Sequence, residues 1–291
     1  MTRARTPSRP PSGNMTRDRR MINHHDRHHH RRTARSARER TASTVLGIWA
    51  HPDDETWLAG GLLADAARRG ARVHTLHMTH GEAGQCAHGP VSAGKLAQIR
   101  TAELTAALRH LGVHDQHVLD YPDGQLASIS DERAVTSIHG ELAAVNPDVV
   151  VTFGPDGFTG HPDHRRLSGW VDAAVSRWGG NDATVLHAAV SSAWTERFVP
   201  ALNEFSAFWP GYPQATALAD IDRSLALDSK LLNAKMAALK AHASQMQPLF
   251  DAYGEGFFRA LGSCERFRQS TPRPVPAHRG QRYQTERDTL Q

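Results

Sequence analysis

Two short stretches of the chain concentrate side chains that can move protons or hold a divalent cation. His51-Pro52-Asp53-Asp54-Glu55 places one imidazole and three carboxylates within five residues, and His161-Pro162-Asp163-His164 adds two imidazoles and another carboxylate. Nitrogen and oxygen donors of this kind suit zinc, and a catalytic zinc uses three of them so that a fourth position stays open for water. Each stretch taken alone reads equally well as the start of a helix, where Asp53, Asp54 and Asp163 would satisfy free backbone N–H groups and favour the positive end of the helix dipole.

The flanking sequence sets where these stretches lie. Apolar runs of strand length precede both, at residues 45–50 and 148–153, and a third run at 71–79 leads into His80-Gly81-Glu82-Ala83-Gly84. A further strand is expected at 117–121. Helical spacing of apolar residues predicts helices over 57–69, 95–111, 131–145, 167–178 and 228–247, several ending at Gly or before Pro. Strands alternating with helices predict an α/β fold, doubly wound around a mainly parallel, Rossmann-like sheet with helices on both faces. In such sheets ligands bind outside the carboxyl ends of the strands, which lets the three loops converge although 110 positions separate His51 from His161.

Together the motifs resemble the LmbE-like or PIG-L family of metal-dependent deacetylases, marked by Ala-His-Pro-Asp-Asp-Glu early and His-Pro-Asp-His later. Here these are Ala50 to Glu55 and His161 to His164, with Gly81-Glu82-Ala83-Gly84, Arg100, Glu103-Leu104 and Asp120-Tyr121-Pro122-Asp123-Gly124 between them. The resemblance spans roughly residues 44–250. It implies His51, Asp54 and His164 as zinc ligands, Asp53 as general base, His161 as stabiliser of an oxyanion, and Asp163 as the partner that orients His161. It also implies Arg100 and Asp123, with Glu82 a weaker candidate, in substrate binding. Adjacent-residue spacing equally allows Asp53 on the metal and Asp54 as base, and Arg100 is also placed to pair with Glu103 at i+3. Glu55 reads as a first-turn helix carboxylate and His242 as a packing residue. Two positions depart from the family pattern: His80 stands where Arg often precedes Gly-Glu, and Thr159 where some sugar deacetylases carry Tyr.

The implied reaction is zinc-dependent removal of an N-acyl group, most simply N-acetyl, from a sugar-like small molecule such as an N-acetylglucosamine conjugate. An amidase for thiol conjugates of such a sugar is an alternative. Composition supplies a rival from another class. Residues 1–41 hold 12 Arg, no Lys and three acidic residues, a net of +9 against +4 for all 291 residues, so the remainder carries −5. That segment has little apolar surface and is expected to be a disordered basic tail, one able to attract polyanions such as nucleic acid. The deacetylase domain is expected over 42–270, and a second disordered tail over 271–291. No run of 18 apolar residues is present, which excludes a transmembrane helix, and two cysteines, Cys86 and Cys264, make no disulfide framework, which points to the cytoplasm.

Overall fold

A computed structural model describes residues 43–179 and 183–270; both expected tails lie outside the described residues. Seven strands, β1 (Thr44–Trp49), β2 (Arg72–His77), β3 (Asp115–Val118), β4 (Val149–Phe153), β5 (Thr184–Ala189), β6 (Arg223–Ala226) and β7 (Cys264–Ser270), form one sheet. Their order is β3-β2-β1-β4-β5-β7-β6. The five strands from β3 to β5 are parallel, and β7 runs antiparallel to both β5 and β6. The α/β expectation holds, with an antiparallel edge added by the C-terminal section.

Successive strands move outward from β1 through β2 to β3, and the chain then returns to place β4 on the other side of β1. That reversal is the topological switch point, and the crevice it opens lies at the carboxyl ends of β1 and β4. Both strands are apolar because helices cover them. All six residues of β1 are buried, and Val149-Val150-Val151 gives β4 the branched side chains that a doubly covered strand favours. The crossovers are α1 (Asp54–Arg68) after β1, α2 (Ala93–His110) after β2, α3 (Asp131–Val145) after β3 and α4 (Pro162–Trp178) after β4. Right-handed crossovers put α1 and α2 on one face and α3 and α4, which pack on each other, on the opposite face.

Three further helices, α5 (Ser192–Asn203), α6 (Ser229–Ala241) and α7 (Ala243–Leu261), belong to the C-terminal section, with α6 laid against α1 and α2. The single helix expected over 228–247 is therefore two. His242, at φ −79° and ψ 48°, breaks the helix. Its imidazole turns inward to Glu55 at 3.1 Å, while Glu103 accepts from the backbone N–H and hydroxyl of Ser244 at 2.7 and 2.6 Å. These long-range bonds replace the backbone bonds that a continuous helix would have made there.

One buried ion pair ties β7 to α1. Lys235 and Glu265 meet at 2.7 Å, both nearly free of solvent, and Glu265 also accepts from the backbone N–H groups of Gly61 and Leu62 at 2.7 and 2.8 Å. Lys235 also donates to the Trp57 carbonyl at 2.9 Å. The glycine at position 61 leaves room for the approaching segment, since a Cβ there would lie 2.3 Å from the Leu227 side chain. Glu265→Ala strands the Lys235 charge in the interior, and the unfolding free energy is expected to fall by about 3–5 kcal/mol. Chemical denaturation checks this, and the double variant Lys235→Met/Glu265→Leu should recover most of the loss.

Candidate active site

Both motifs start helices. Pro162 occupies the first turn of α4, where its missing N–H costs nothing, and Asp54 and Glu55 fill the first turn of α1. Capping nevertheless does not explain the side chains. Asp53, at the N-cap of α1, makes no side-chain capping bond and sits at φ 103°, a left-handed conformation unfavourable for a residue with a Cβ. On α4 the cap is His161, whose Nδ1 accepts from the Asp163 backbone N–H at 3.2 Å.

His51, Asp54 and His164 converge. His51 Nδ1 lies 3.0 Å from His164 Nε2, Asp54 Oδ1 lies 3.4 Å from His164 Nε2, and Asp54 Oδ2 lies 3.6 Å from His51 Nδ1. Donors placed tetrahedrally around an ion with bonds of about 2.1 Å stand roughly 3.4 Å apart. Asp54 thus meets the two imidazoles with different oxygens, and the separations are of the size of the edges of a zinc site. These side chains are braced from behind. Gly157 O at 3.1 Å and Thr159 Oγ1 at 3.0 Å hold His164 Nδ1, and the Phe153 ring stacks on His164 with centroids 4.1 Å apart. The backbone N–H of His51 donates to Asp54 Oδ2 at 2.8 Å.

The far nitrogen of His51 faces two more carboxylates, Asp123 Oδ1 at 2.9 Å and Asp163 Oδ2 at 3.4 Å. His51 thus joins two groupings whose donor atoms come within 4.8 Å, one with His161 and His164, the other with Asp123 and Asp163. The second is less suited to a metal because its acceptors are already engaged. Asp163 accepts from the backbone N–H groups of Gly124 and Leu126 at 2.8 and 3.0 Å, and Asp123 Oδ2 accepts from Ala83 at 2.8 Å. A carboxylate on one imidazole nitrogen orients the ring and raises the basicity of the other nitrogen.

Electrostatics favour a cation among these groups. Burial by itself would strip the proton from His51, yet the Asp123, Asp163 and Asp54 carboxylates push its pKa up to about 10. Burial, together with the neighbouring His51 charge, holds His164 well below the usual imidazole value, in the neutral form that ligates metals. Asp53 is pushed up to about 6 by burial despite the Arg100 guanidinium 3.1 Å away. Arg100 is buried on α2 and also donates to the carbonyls of Gly81 at 2.8 Å and Pro52 at 2.5 Å. Gly81, at φ 72°, permits this, since a Cβ there would lie 2.4 Å from Arg100 Nη1. The alternative i+3 pairing of Arg100 with Glu103 is not formed, because Glu103 holds Ser244 instead.

His51, Asp53, Asp54, Arg100 and His164 line a cavity of about 580 Å³, bordered also by His161, Asp123 and Gly124. Three sequence expectations change in place. The Asp163 carboxylate reaches His51 and the 124–126 loop; toward His161 only its backbone N–H is engaged, because the helix start turns the carboxylate inward. Asp123 lines the cavity, but its two oxygens are taken by His51 and Ala83. Glu82 is not among the lining residues and instead accepts from the Asp123 backbone N–H at 2.9 Å. His80 is held between Thr101 and Asp120, away from the cluster.

Sequence reasoning passed over a second cluster beneath the first. Glu55 is fully buried, bonded to His77 at 3.1 Å and to His242 at 3.1 Å, and it accepts from the Asp53 backbone N–H at 2.9 Å. Burial alone would raise its pKa, but the hydrogen bonds from His242 and His77 outweigh that and hold the carboxyl below its usual range. No local signal joins these residues, which lie on α1, β2 and the break between α6 and α7.

With this geometry in view, sequence comparison matches residues 46–175 to the family described as PIG-L: GlcNAc-PI de-N-acetylase. The chain is 30% identical over 230 residues to 1D-myo-inositol 2-acetamido-2-deoxy-alpha-D-glucopyranoside deacetylase of Corynebacterium glutamicum, covering 71% of this chain and 76% of the relative. The chain belongs to the PIG-L family. Among solved structures, N,N'-diacetylchitobiose deacetylase from Pyrococcus horikoshii superposes with a TM-score of 0.54 at 21% identity, covering 86% of this chain and 94% of that one. The 4-carboxy-2-hydroxymuconate hydratase GalB from Pseudomonas putida superposes with a TM-score of 0.56 at 20% identity, covering 79% and 97%. At these identities the PIG-L chain shares the fold with both.

Glu55→Ala leaves His77 and His242 without their shared acceptor and frees the Asp53 backbone. An unfolding free energy lower by about 3–5 kcal/mol is expected from denaturation curves; a change under about 1 kcal/mol would show that the cluster is not an ionic network.

Proposed function

We propose that this PIG-L family chain is a zinc-dependent N-deacetylase acting on an N-acetylglucosamine-like unit of a small conjugate, with His51, Asp54 and His164 as the metal ligands. The observation that carries the reading is the convergence of three buried side chains, His51, Asp54 and His164, beside a carboxylate, Asp53, that neither caps its helix nor joins their cluster. The name of the Corynebacterium relative, which specifies a 2-acetamido-2-deoxyglucopyranoside, supports the amide and the sugar.

Held by His51, Asp54 and His164, a zinc ion would supply Lewis acidity for the amide carbonyl and for a water molecule. Asp53 takes the proton of the attacking water and passes it to the departing amine, while Arg100 fixes the carboxylate and, with the backbone at Gly81, keeps it from swinging onto the ligands. The alternative in which Asp53 ligates and Asp54 acts as base is disfavoured, since Asp54 stands beside both imidazole nitrogens and Asp53 is paired with Arg100. His161 accepts at Nδ1 from backbone, which leaves its proton on Nε2. Burial lowers its pKa, so the ring is a neutral donor for the developing oxyanion. Asp163 and Asp123 orient His51, and Glu82 braces the Asp123 loop.

No helix among the described residues is long and apolar enough to cross a membrane, and both cysteines are unpaired, which supports a cytoplasmic enzyme. The catalytic domain is assigned to 42–270, with 1–41 and 271–291 as appendages and nucleic acid as no part of its chemistry.

His51→Ala, Asp54→Ala and His164→Ala are each expected to lose bound zinc and acetate release together, whereas Asp53→Asn keeps zinc while turnover falls by about 100-fold or more. Metal analysis alongside acetate release from N-acetylated sugars reads both; full zinc occupancy in the three alanine variants would refute the ligand set. Deleting residues 1–41 changes the net charge from +4 to −5 and should leave zinc content, thermal midpoint and acetate release near those of the full chain. Weaker retention on an anionic matrix at low salt is the one change expected. A large loss of zinc or activity would move the domain boundary toward the N-terminus.

A further inference from the structure

The direction in which a side chain points is set by the backbone that carries it, and the backbone of Asp53 is held on both sides. The planar peptide unit joining Pro52 to Asp53 is bonded at each end: the Pro52 carbonyl accepts from Arg100 Nη2 at 2.5 Å, and the Asp53 N–H donates to Glu55 Oε2 at 2.9 Å. On the other side the Asp53 carbonyl accepts from the backbone N–H groups of Thr56 and Trp57, both at 3.0 Å, as α1 begins. With the units before and after it fixed, Asp53 has little freedom left. Its φ of 103° is a conformation that a residue with a Cβ keeps only when its surroundings impose it. The direction of its Cβ follows, and with it the placing of the carboxylate 3.1 Å from Arg100 Nη2.

Glu55 does more than close a helix turn. A first-turn carboxylate that only complements the helix dipole can do so at the surface, whereas Glu55 is wholly buried, where a charge is costly unless donors surround it. Four donors meet it. Oε1 accepts from Thr56 Oγ1 at 2.6 Å and His242 Nε2 at 3.1 Å, and Oε2 from His77 Nε2 at 3.1 Å as well as from the Asp53 N–H. Nδ1 of both imidazoles is buried without a partner, so the proton of each ring belongs on the nitrogen that faces Glu55. His77 comes from β2 and His242 from the break between α6 and α7, 22 and 187 residues away. The acceptor for the Asp53 N–H is thereby fixed in place by distant parts of the chain, and turning it to another rotamer would break all four bonds.

Resting on the deacylase reading above, we propose that Glu55 is the positioning residue of the base: by accepting the Asp53 N–H it holds the left-handed turn that aims the Asp53 carboxylate at Arg100 and away from Asp54. Glu55 does not itself border the cavity, so it acts through Asp53, and His77 and His242 act through Glu55.

The test uses the full-length chain loaded with zinc and follows acetate release from N-acetylglucosamine. Glu55→Met, of similar length but with no oxygen to accept the N–H, should lower kcat by about 10- to 100-fold, the scale of a slightly misplaced reacting group, with KM and zinc content unchanged. Zinc lost together with kcat would mean that Glu55 serves the donor cluster, and an unchanged kcat that it only starts the helix; either result overturns the proposal. Glu55→Gln should recover most of the kcat, since its carbonyl oxygen still accepts from Asp53 while its amide donates to a ring nitrogen of His242. If Glu55→Gln is as slow as Glu55→Met, charge and not the hydrogen bond is what matters, and the proposal falls. On the Asp53→Asn background Glu55→Met should cost no further kcat, because the two act as one unit; losses that multiply count against it. Should Glu55→Met fail to fold, Glu55→Asp, one methylene short of the N–H, takes its place with the same expected pattern. The backbone is read apart from catalysis in crystal structures: Asp53 should leave the left-handed region in Glu55→Met and keep it in Glu55→Gln. If the unaltered chain hydrolyses no N-acetylated sugar, the deacylase reading fails. These structures then decide alone whether Glu55 sets the turn, and a left-handed Asp53 in Glu55→Met shows that it does not.

Discussion

Bringing several carboxylates to one buried point is the constraint around which the protein is organised. In an interior of low effective dielectric a carboxylate without a partner is driven to take up a proton, so each needs a dedicated donor. Glu55 has two imidazoles, Asp163 two backbone N–H groups, Asp123 one backbone N–H and His51, and Asp53 a guanidinium. Asp54 has the backbone N–H of His51 on one oxygen and is faced by the ring nitrogens of His51 and His164. Against the cost of burial, the carboxylates of Asp123, Asp163 and Asp54 push the His51 pKa up, so this point of the protein favours positive charge, which a divalent cation would also supply. The switch point makes this economical, because two helix starts and two strand ends meet there and bring free N–H groups to the carboxylates.

Much of that arrangement was legible along the chain. The run 45–50 could hardly be anything but a covered strand, and the density of titratable groups immediately after it signalled a site at a strand end. Helix starts were harder: α1 and α4 begin at Asp54 and Pro162, earlier than apolar spacing suggests, because their first turns carry the polar residues of the motifs. Periodicity is blind to a turn whose side chains all face a site.

The partners were less legible than the motif residues. Asp163 is adjacent to His164 in sequence and suggests a local role, yet its carboxylate fixes a loop 37 residues earlier and touches His51 across the crevice. The break at His242 follows the same logic, since nothing in Ala241-His242-Ala243 disfavours a helix and only the distant Glu55 and Glu103 turn the chain there. Local propensity sets what a segment does in isolation. Buried hydrogen bonds to groups far away in the chain, each more costly to leave unmade than a helical bond is to forgo, decide the outcome at these two places.

Similarity of fold does not choose the reaction, because a hydratase and a deacetylase both superpose on this chain at comparable TM-scores. The choice rests on the side chains at the crevice. Hydrolysis of an amide asks for a Lewis-acidic site, a base that stays off it and a neutral donor for the oxyanion. Here a base on the ligand cluster would be consumed by coordination, and a charged His161 would repel the cation. Under the mechanism proposed above these duties fall to separate groups: Arg100 and the left-handed backbone at residue 53 hold the Asp53 carboxylate away from Asp54, and the Asp163 backbone N–H bonded to His161 Nδ1 sets that ring's tautomer. The left-handed backbone at Asp53 lets two adjacent carboxylates point to different partners, Asp53 to Arg100 and Asp54 to the imidazoles, and the proposed mechanism gives that strain a use.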